Sequence, residues 1–435
     1  MEGARKHDGS AQIVATTQAQ PSLAPQRLLL AASLANLPFG TIYAFSVLLQ
    51  PLESLLSLRR SELTLVFALA TIVLTVGMNL APLLYRRLPW HRLLGVSALL
   101  STSGLLISAA AQSRWHLLLG YSVLFGLGAG LVFTTVQHLV NQAEITRRGL
   151  VNGYVVSLYP LGAMLGAPLM GWSVSEIGLR ATLFALAGAL GASVLAAALL
   201  LRPARTVAVG IQEQAVRAGD TAGEGQPSGP IAAGRQPDAS RELQPAQSAQ
   251  VALFFKLAAV FTLAASAGLM VMSQAAGILQ AYGAGLGAAL AGTTVMTGAI
   301  AAARILGGWL VDYLEVRKVM AAAQLWALSG ALLLSVVPQP LAAVTGLSMI
   351  GMGYGLISGA SAAAIAQWWP MSQFGRIAGR LYIGWCLAAI GLPLIAAALY
   401  DASGNYKAAI VLAGAFNTLA MLLALRLRPA RVSAQ

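Results

Sequence analysis

The sequence predicts an all-α polytopic membrane protein with twelve transmembrane helices arranged as two pseudo-symmetric six-helix bundles. Three observations predict it. Of the 435 residues 57% are hydrophobic and only 9% are charged, a balance that no soluble domain shows. Apolar runs of about 20 residues, the length a helix needs to cross ~30 Å of hydrocarbon, recur along nearly the whole chain. Short Gly- and Pro-containing motifs of the first half also reappear in the second half at almost constant spacing.

Breaks of charge, Pro and Gly place the spans at roughly 28–50, 63–85, 92–112, 115–140, 149–172, 181–202, 250–280, 288–312, 319–338, 340–366, 376–400 and 406–426. The expected domains are a tail over 1–27, a first bundle over 28–202, a linker over 203–249, a second bundle over 250–427 and a tail over 428–435. The linker is rich in Gly, Ala, Gln, Pro and Ser and has no apolar period, so it is expected to be disordered. The first apolar run is too long for the core of a signal peptide, so it reads as a retained helix.

The formal charge of +13 does not mark a nucleic-acid partner, because the basic residues form short clusters between apolar runs. Arg86, Arg87, Arg92, Arg147, Arg148, Arg317, Lys318, Arg376 and Arg380 fall at one end of the spans, against Arg59, Arg60, Arg114, Arg180 and Lys407 at the other. The positive-inside rule makes the richer end cytoplasmic, with both termini on that side of a cell membrane. The single cysteine, Cys386, excludes an intramolecular disulfide.

The repeat is parallel. Gly126-Leu-Gly128-Ala-Gly130 of the fourth span returns as Gly351-Met-Gly353-Tyr-Gly355 in the tenth, an offset of 225, and Gly166-Ala-Pro168 returns as Gly391-Leu-Pro393. Ala185-Leu-Ala-Gly188-Ala matches Val411-Leu-Ala-Gly414-Ala at 226. Two such halves point to a substrate path between bundles near mid-membrane.

This organisation resembles the major facilitator superfamily. Gly307-Gly308-Trp-Leu-Val-Asp312-Tyr-Leu-Glu-Val-Arg317-Lys318 resembles that superfamily's loop signature, and its first-half counterpart, Leu80 to Arg92, keeps the basic residues but lacks the Gly and Asp. The resemblance implies a gating loop, with Asp312 clamping Arg or helix N-termini when that end closes. The run Asn36-Leu-Pro-Phe-Gly40-Thr-Ile-Tyr43-Ala, the turn Gln367-Trp-Trp-Pro370, and Leu381-Tyr382 with Gly391 and Asp401 are similar to the oxalate/formate antiporter and monocarboxylate-transporter branch. In that branch an arginine of the eighth span binds the substrate carboxylate, and Arg304 stands at the matching place. The second cation of oxalate-type members falls here on Trp385, which the resemblance reads as selection for a monoanion with an apolar body.

Arg304 also stands out without the resemblance. An arginine near the bilayer centre costs roughly 2.5–3.5 kcal/mol on insertion scales and persists only where something compensates it. No Asp or Glu lies at mid-span, and Thr297, Ala301 and Gly308 share the helix face of Arg304, leaving room for a ligand. A carboxylate is the natural partner, with helix carbonyls as the alternative. Asn36 and Tyr43 share one face of the first span, Tyr159 and Trp385 correspond between the halves, and Tyr354 lies among the glycines of the tenth span; these residues are the expected cavity lining. His138 is a candidate for proton exchange or for a structural hydrogen bond.

The residues therefore lead to a secondary transporter, expected as a monomer, that moves a small organic anion by alternating access, with protons or a counter-anion as coupling partner. No phosphate loop, metal cluster or nucleophile–base set appears, so neither an enzyme nor a cofactor is expected. The competing readings are an exporter of neutral or anionic metabolites and a non-transporting sensor that signals through the linker. Deleting part of 203–249 while measuring flux in proteoliposomes separates the last reading from transport: flux should survive the deletion, and its survival disfavours the sensor.

Overall fold

The computed structural model describes residues 25–85, 87–143, 146–201 and 239–428. The terminal tails expected over 1–27 and 428–435 therefore lie almost wholly outside the described residues, as do Arg86, Arg202 and positions 203–238 of the expected linker. The first bundle contains α1 (Pro25–Asn36), a tightly wound stretch (Pro38–Ala44), α2 (Ser46–Leu56), α3 (Arg60–Leu84) and α4 (Trp90–Ala109). It continues with α5 (Arg114–Leu117), a wide-wound stretch (Leu118–Phe125), α6 (Gly126–Gln142), α7 (Arg148–Ile177) and α8 (Leu179–Leu200). The second bundle comprises α9 (Ala239–Ala281), α10 (Leu286–Val311), α11 (Val316–Val336), α12 (Pro340–Trp368), α13 (Met371–Ser403) and α14 (Lys407–Leu425). Eleven helices are long and apolar enough to span a membrane, and the bent pair at the start makes a twelfth span.

Two boundaries depart from the sequence reading. Span one is not a continuous helix: its two parts, Pro25–Ala44 and Ser46–Leu56, meet at 60°. Pro38 brings no N–H to the helix, and the chain beyond it tightens into three-residue turns, with Gly40 N donating to the Leu37 carbonyl at 3.1 Å and Phe45 N to the Ile42 carbonyl at 3.4 Å. The helix that carries the seventh span begins at Ala239, inside the segment expected to be linker, whereas its membrane-crossing part, Ala249–Ala281, lies where the sequence reading places it.

The repeated glycines show how each half is assembled. A side chain on Gly126 or Gly130 of α6 would run into the backbone of α3 at Ala70 and Leu74, while one on Gly128 would meet Ser97 and Ser101 of α4. The second half does the same. Gly351 and Gly355 of α12 seat Ile300 of α10, and Gly353 seats Ala323 and Ala327 of α11. One three-glycine ridge per bundle thus lets a central helix approach two neighbours from adjacent faces, which is how membrane helices pack when burial from water supplies no drive.

Glycine also sets the contacts to the gated segments. Gly40 of the tight stretch lies against Gly162 of α7, close enough that a Cβ on Gly40 would sit 2.6 Å from the Gly162 Cα. This contact holds the broken first span against α7 and fixes the height of Tyr43.

Candidate functional site

Arg304 lies on α10 with 3% of its surface exposed, at the seam between the bundles. Its Nη1 donates to the Val156 carbonyl of α7 at 2.8 Å, and its Nη2 donates to the Tyr354 hydroxyl of α12 at 3.0 Å. The first bond crosses to the other bundle. That carbonyl is available because Pro160, four residues on, has no N–H to donate back to it. Nε of Arg304 has no acceptor among the described residues.

Tyr354 ties the site together. Its oxygen also accepts from Trp385 Nε1 at 2.9 Å, and its ring lies 5.2 Å from the guanidinium carbon. With two N–H donors on its oxygen, the Tyr354 hydroxyl keeps its own proton to donate.

Aromatic rings from both bundles surround the polar centre. Tyr43 stands between Tyr159 at 6.1 Å and Trp385 at 6.2 Å, and it interacts electrostatically with Arg304. Phe133 of α6 packs edge-on to Tyr159 at 5.1 Å and to Tyr382 at 5.0 Å, and the Tyr159 hydroxyl donates to the Ala129 carbonyl. Five residues singled out in the sequence, Tyr43, Tyr159, Arg304, Tyr354 and Trp385, are thereby brought together. Phe133, Tyr382, Val156 and Pro160 join them without having been singled out as site residues. A carbonyl freed by a proline is visible in sequence only if one asks which donor each proline removes.

Two further candidates make no polar or ring contact with this group among the described residues. Asn36 is fully buried with neither amide atom hydrogen-bonded among the described residues, and no ring or polar contact described for it reaches Arg304. His138 belongs to the basic end of α6, stacked on Tyr85 at 4.3 Å, with its Nε2 2.9 Å from Gln142 Nε2.

The loop residues divide as well. Asp312, at the end of α10, accepts from the backbone N–H of Gly149 at 2.7 Å and of Leu150 at 2.8 Å, the first turn of α7 in the other bundle. A carboxylate at a helix N-terminus satisfies otherwise orphaned donors and meets the positive end of the dipole. Gly149, Gly153 and Gly308 let the two backbones come close enough for this. Arg317 and Lys318 stay on their own side, pairing with Glu315 at 2.6 and 3.1 Å, and the Arg317 hydrogen bond, with Lys318 beside it, holds the Glu315 carboxyl below the usual carboxylate range.

A further cross-bundle bond runs from Asn79 Nδ2 of α3 to the Gly379 carbonyl of α13 at 2.8 Å. These contacts place the bundles against one another at mid-height and at the basic end. Among the described residues, the groups bonded across the seam here are backbone carbonyls and N–H groups, a carboxamide, one carboxylate and one guanidinium. No group of His, Cys, Asp and Glu able to hold a metal occurs among the described residues.

Comparison with known proteins agrees with this architecture. The family model described as Major Facilitator Superfamily matches residues 28–291 and 255–435. No curated protein matches the sequence. Among solved structures the chain is similar to the proton:xylose symporter XylE bound to 6-bromo-6-deoxy-D-glucose, with 15% identity, 92% of this chain and 95% of that one covered, and a TM-score of 0.67. It is also similar to the transporter FucP in the outward conformation, with 16% identity, 93% and 99% covered, and a TM-score of 0.61. At these identities the likeness shows the fold.

The Asp312 contact is testable by distance. With Cys386 replaced by Ser and spin labels at Arg147 and Leu314, two exposed positions flanking the contact on opposite bundles, Asp312→Ala should shift the measured distances to longer values. Asp312→Asn, which keeps one acceptor oxygen, should shift them less. Identical distributions in all three proteins would show that the carboxylate does not hold this end closed.

Proposed function

The chain belongs to the major facilitator superfamily of membrane transporters, and from that premise we propose that its cargo is a small organic monoanion, a monocarboxylate with an apolar body, bound by Arg304. The observation that carries this reading is a guanidinium buried between the bundles whose protein partners, a carbonyl and a phenol, are both neutral. Among the described residues, acids sit at span ends; the acid on the same helix, Asp312, is eight residues away, roughly 12 Å of helix, and is engaged with α7. An arginine does not shed its proton to escape burial, so its charge is left for a ligand to balance.

The rings of Tyr43, Tyr159 and Trp385 suit the apolar body of such an anion, and a single cation suits one carboxylate. Trp385 donates to Tyr354 and so supports the hydroxyl that faces the ligand. A carboxylate accepting from Arg304 competes with the Val156 carbonyl for Nη1. Winning that competition removes one of the hydrogen bonds that join the bundles, so binding loosens the seam and favours the step in which the basic end opens. With no acid at mid-height to carry a proton, coupling is by exchange of anions or by symport in which substrate and Arg304 together define the protonated state. The basic end faces the cytoplasm of a cell membrane, with both termini on that side.

Uptake of a radiolabelled monocarboxylate by proteoliposomes tests the assignment. Arg304→Ala should lower it at least about tenfold, as loss of a charge-assisted hydrogen bond implies, and Arg304→Lys should restore little, since an ammonium lacks the planar fork. Undiminished uptake by the Ala variant would sink the proposal. Pro160→Ala returns an N–H to α7 that captures the Val156 carbonyl, so the apparent affinity for the anion should rise roughly two- to tenfold, the range of one net hydrogen bond. An unchanged affinity would mean that the carbonyl is not the group displaced.

A further inference from the structure

At the basic end, away from Arg304, a cavity of about 720 Å³ opens between the bundles. Tyr85, Trp90 and His138 wall it from the first bundle, and Met371, Arg376 and Arg380 from the second. The three rings form a fixed platform. Tyr85 and His138 stack at 4.3 Å with planes 9° apart, and Trp90 lies 5.3 Å from one and 5.5 Å from the other. Arg376 and Arg380 are one helical turn apart on α13, hence on one face, and neither has an acidic partner among the described residues. Among the described residues the lining contains no Asp or Glu.

The preference for basic residues at this end accounts for the charges but not for a cavity of ligand size, nor for an ordered aromatic wall opposite them. We propose that this cavity is a second organic-anion site, distinct from Arg304, taking an acidic head between Arg376 and Arg380 and an apolar body against Tyr85, Trp90 and His138. Arginine is suited to such heads because its planar fork meets carboxylate and phosphate oxygens in pairs. The two sites are in series. Along α13, Arg380 precedes Trp385 by five residues, roughly 7.5 Å, and the packed rings of Phe133 and Tyr382 form the floor between them. Because both bundles contribute walls, the bound anion favours the arrangement in which they meet at this end.

The acidic head has two sources, a soluble aromatic carboxylate or an anionic lipid, and the same titration separates them. Full-length protein carrying Arg304→Ala, purified in neutral detergent, is titrated calorimetrically with 2-naphthoate and, separately, with dihexanoyl phosphatidylglycerol. Saturable binding of at least one probe is expected, and the responding probe identifies the source. Adding Arg376→Gln and Arg380→Gln should weaken that binding at least about tenfold, while Arg376→Lys with Arg380→Lys should retain most of it. Both arginines are exposed, so a melting curve confirms that the Gln variant is folded. Failure of both probes to bind, or equal affinity in the Gln variant, overturns the proposal. Since Arg304 is absent throughout, that result leaves the central site standing, and loss of transport in Arg304→Ala alone leaves this one standing.

Discussion

The bond from Arg304 to the Val156 carbonyl is the constraint around which the seam is built. A guanidinium inside the membrane must find acceptors, and a helix ordinarily has none to offer, because each carbonyl is engaged by the N–H four residues on. Pro160 breaks that rule at one place on α7. The carbonyl it frees lies across the seam from Arg304, so the charge on one bundle is satisfied by a backbone defect on the other. The neutral acceptors leave the charge itself uncompensated, so the residue that fastens the bundles is also the one we propose as the anion's partner.

The other cross-bundle contacts follow the same logic of half-satisfied backbone. Asp312 caps the orphan N–H groups of α7, and Asn79 donates to a carbonyl of α13. Each reaches its target because glycines remove side chains from the approach: Gly149, Gly153 and Gly308 at one contact, Gly379 at the other. The two contacts are not equivalent. Arg86 stands in the first-half sequence where Asp312 stands in the second, and on the α3–α13 side the aromatic-walled cavity opens.

Much of the architecture was legible in the chain. Run length gave the number of spans, and the recurring Gly-x-Gly-x-Gly gave the two halves, because a tightly packed central helix needs those glycines in each. Of the site, Arg304, Tyr43, Tyr159, Tyr354 and Trp385 were recoverable because polar and aromatic residues are conspicuous in apolar spans. Asn36 and His138 looked equally conspicuous and make no polar or ring contact with that group among the described residues. Helical phase narrows the side of a helix that a residue occupies, but it does not say which helix packs against that side. The bend of the first span was missed for a related reason: Pro38 marks where the winding tightens, whereas the 60° bend comes at Phe45, after the stretch that packs on α7 through Gly40.

Sequence alone determined that this is a twelve-span, two-bundle membrane protein with a lone mid-span cation, since hydrophobic length, internal repetition and the cost of a buried charge are all local properties of the chain. The tertiary structure decided what that cation touches. It supplied the proline-freed carbonyl, the hydroxyl shared by Arg304 and Trp385, and the aspartate seated on a helix of the other bundle, because each joins residues 31 or more positions apart on different helices. It also decided that the residues around Arg304 form a ring-lined seam. That outcome depends on how closely glycines let helices approach, and spacing along one helix does not encode it.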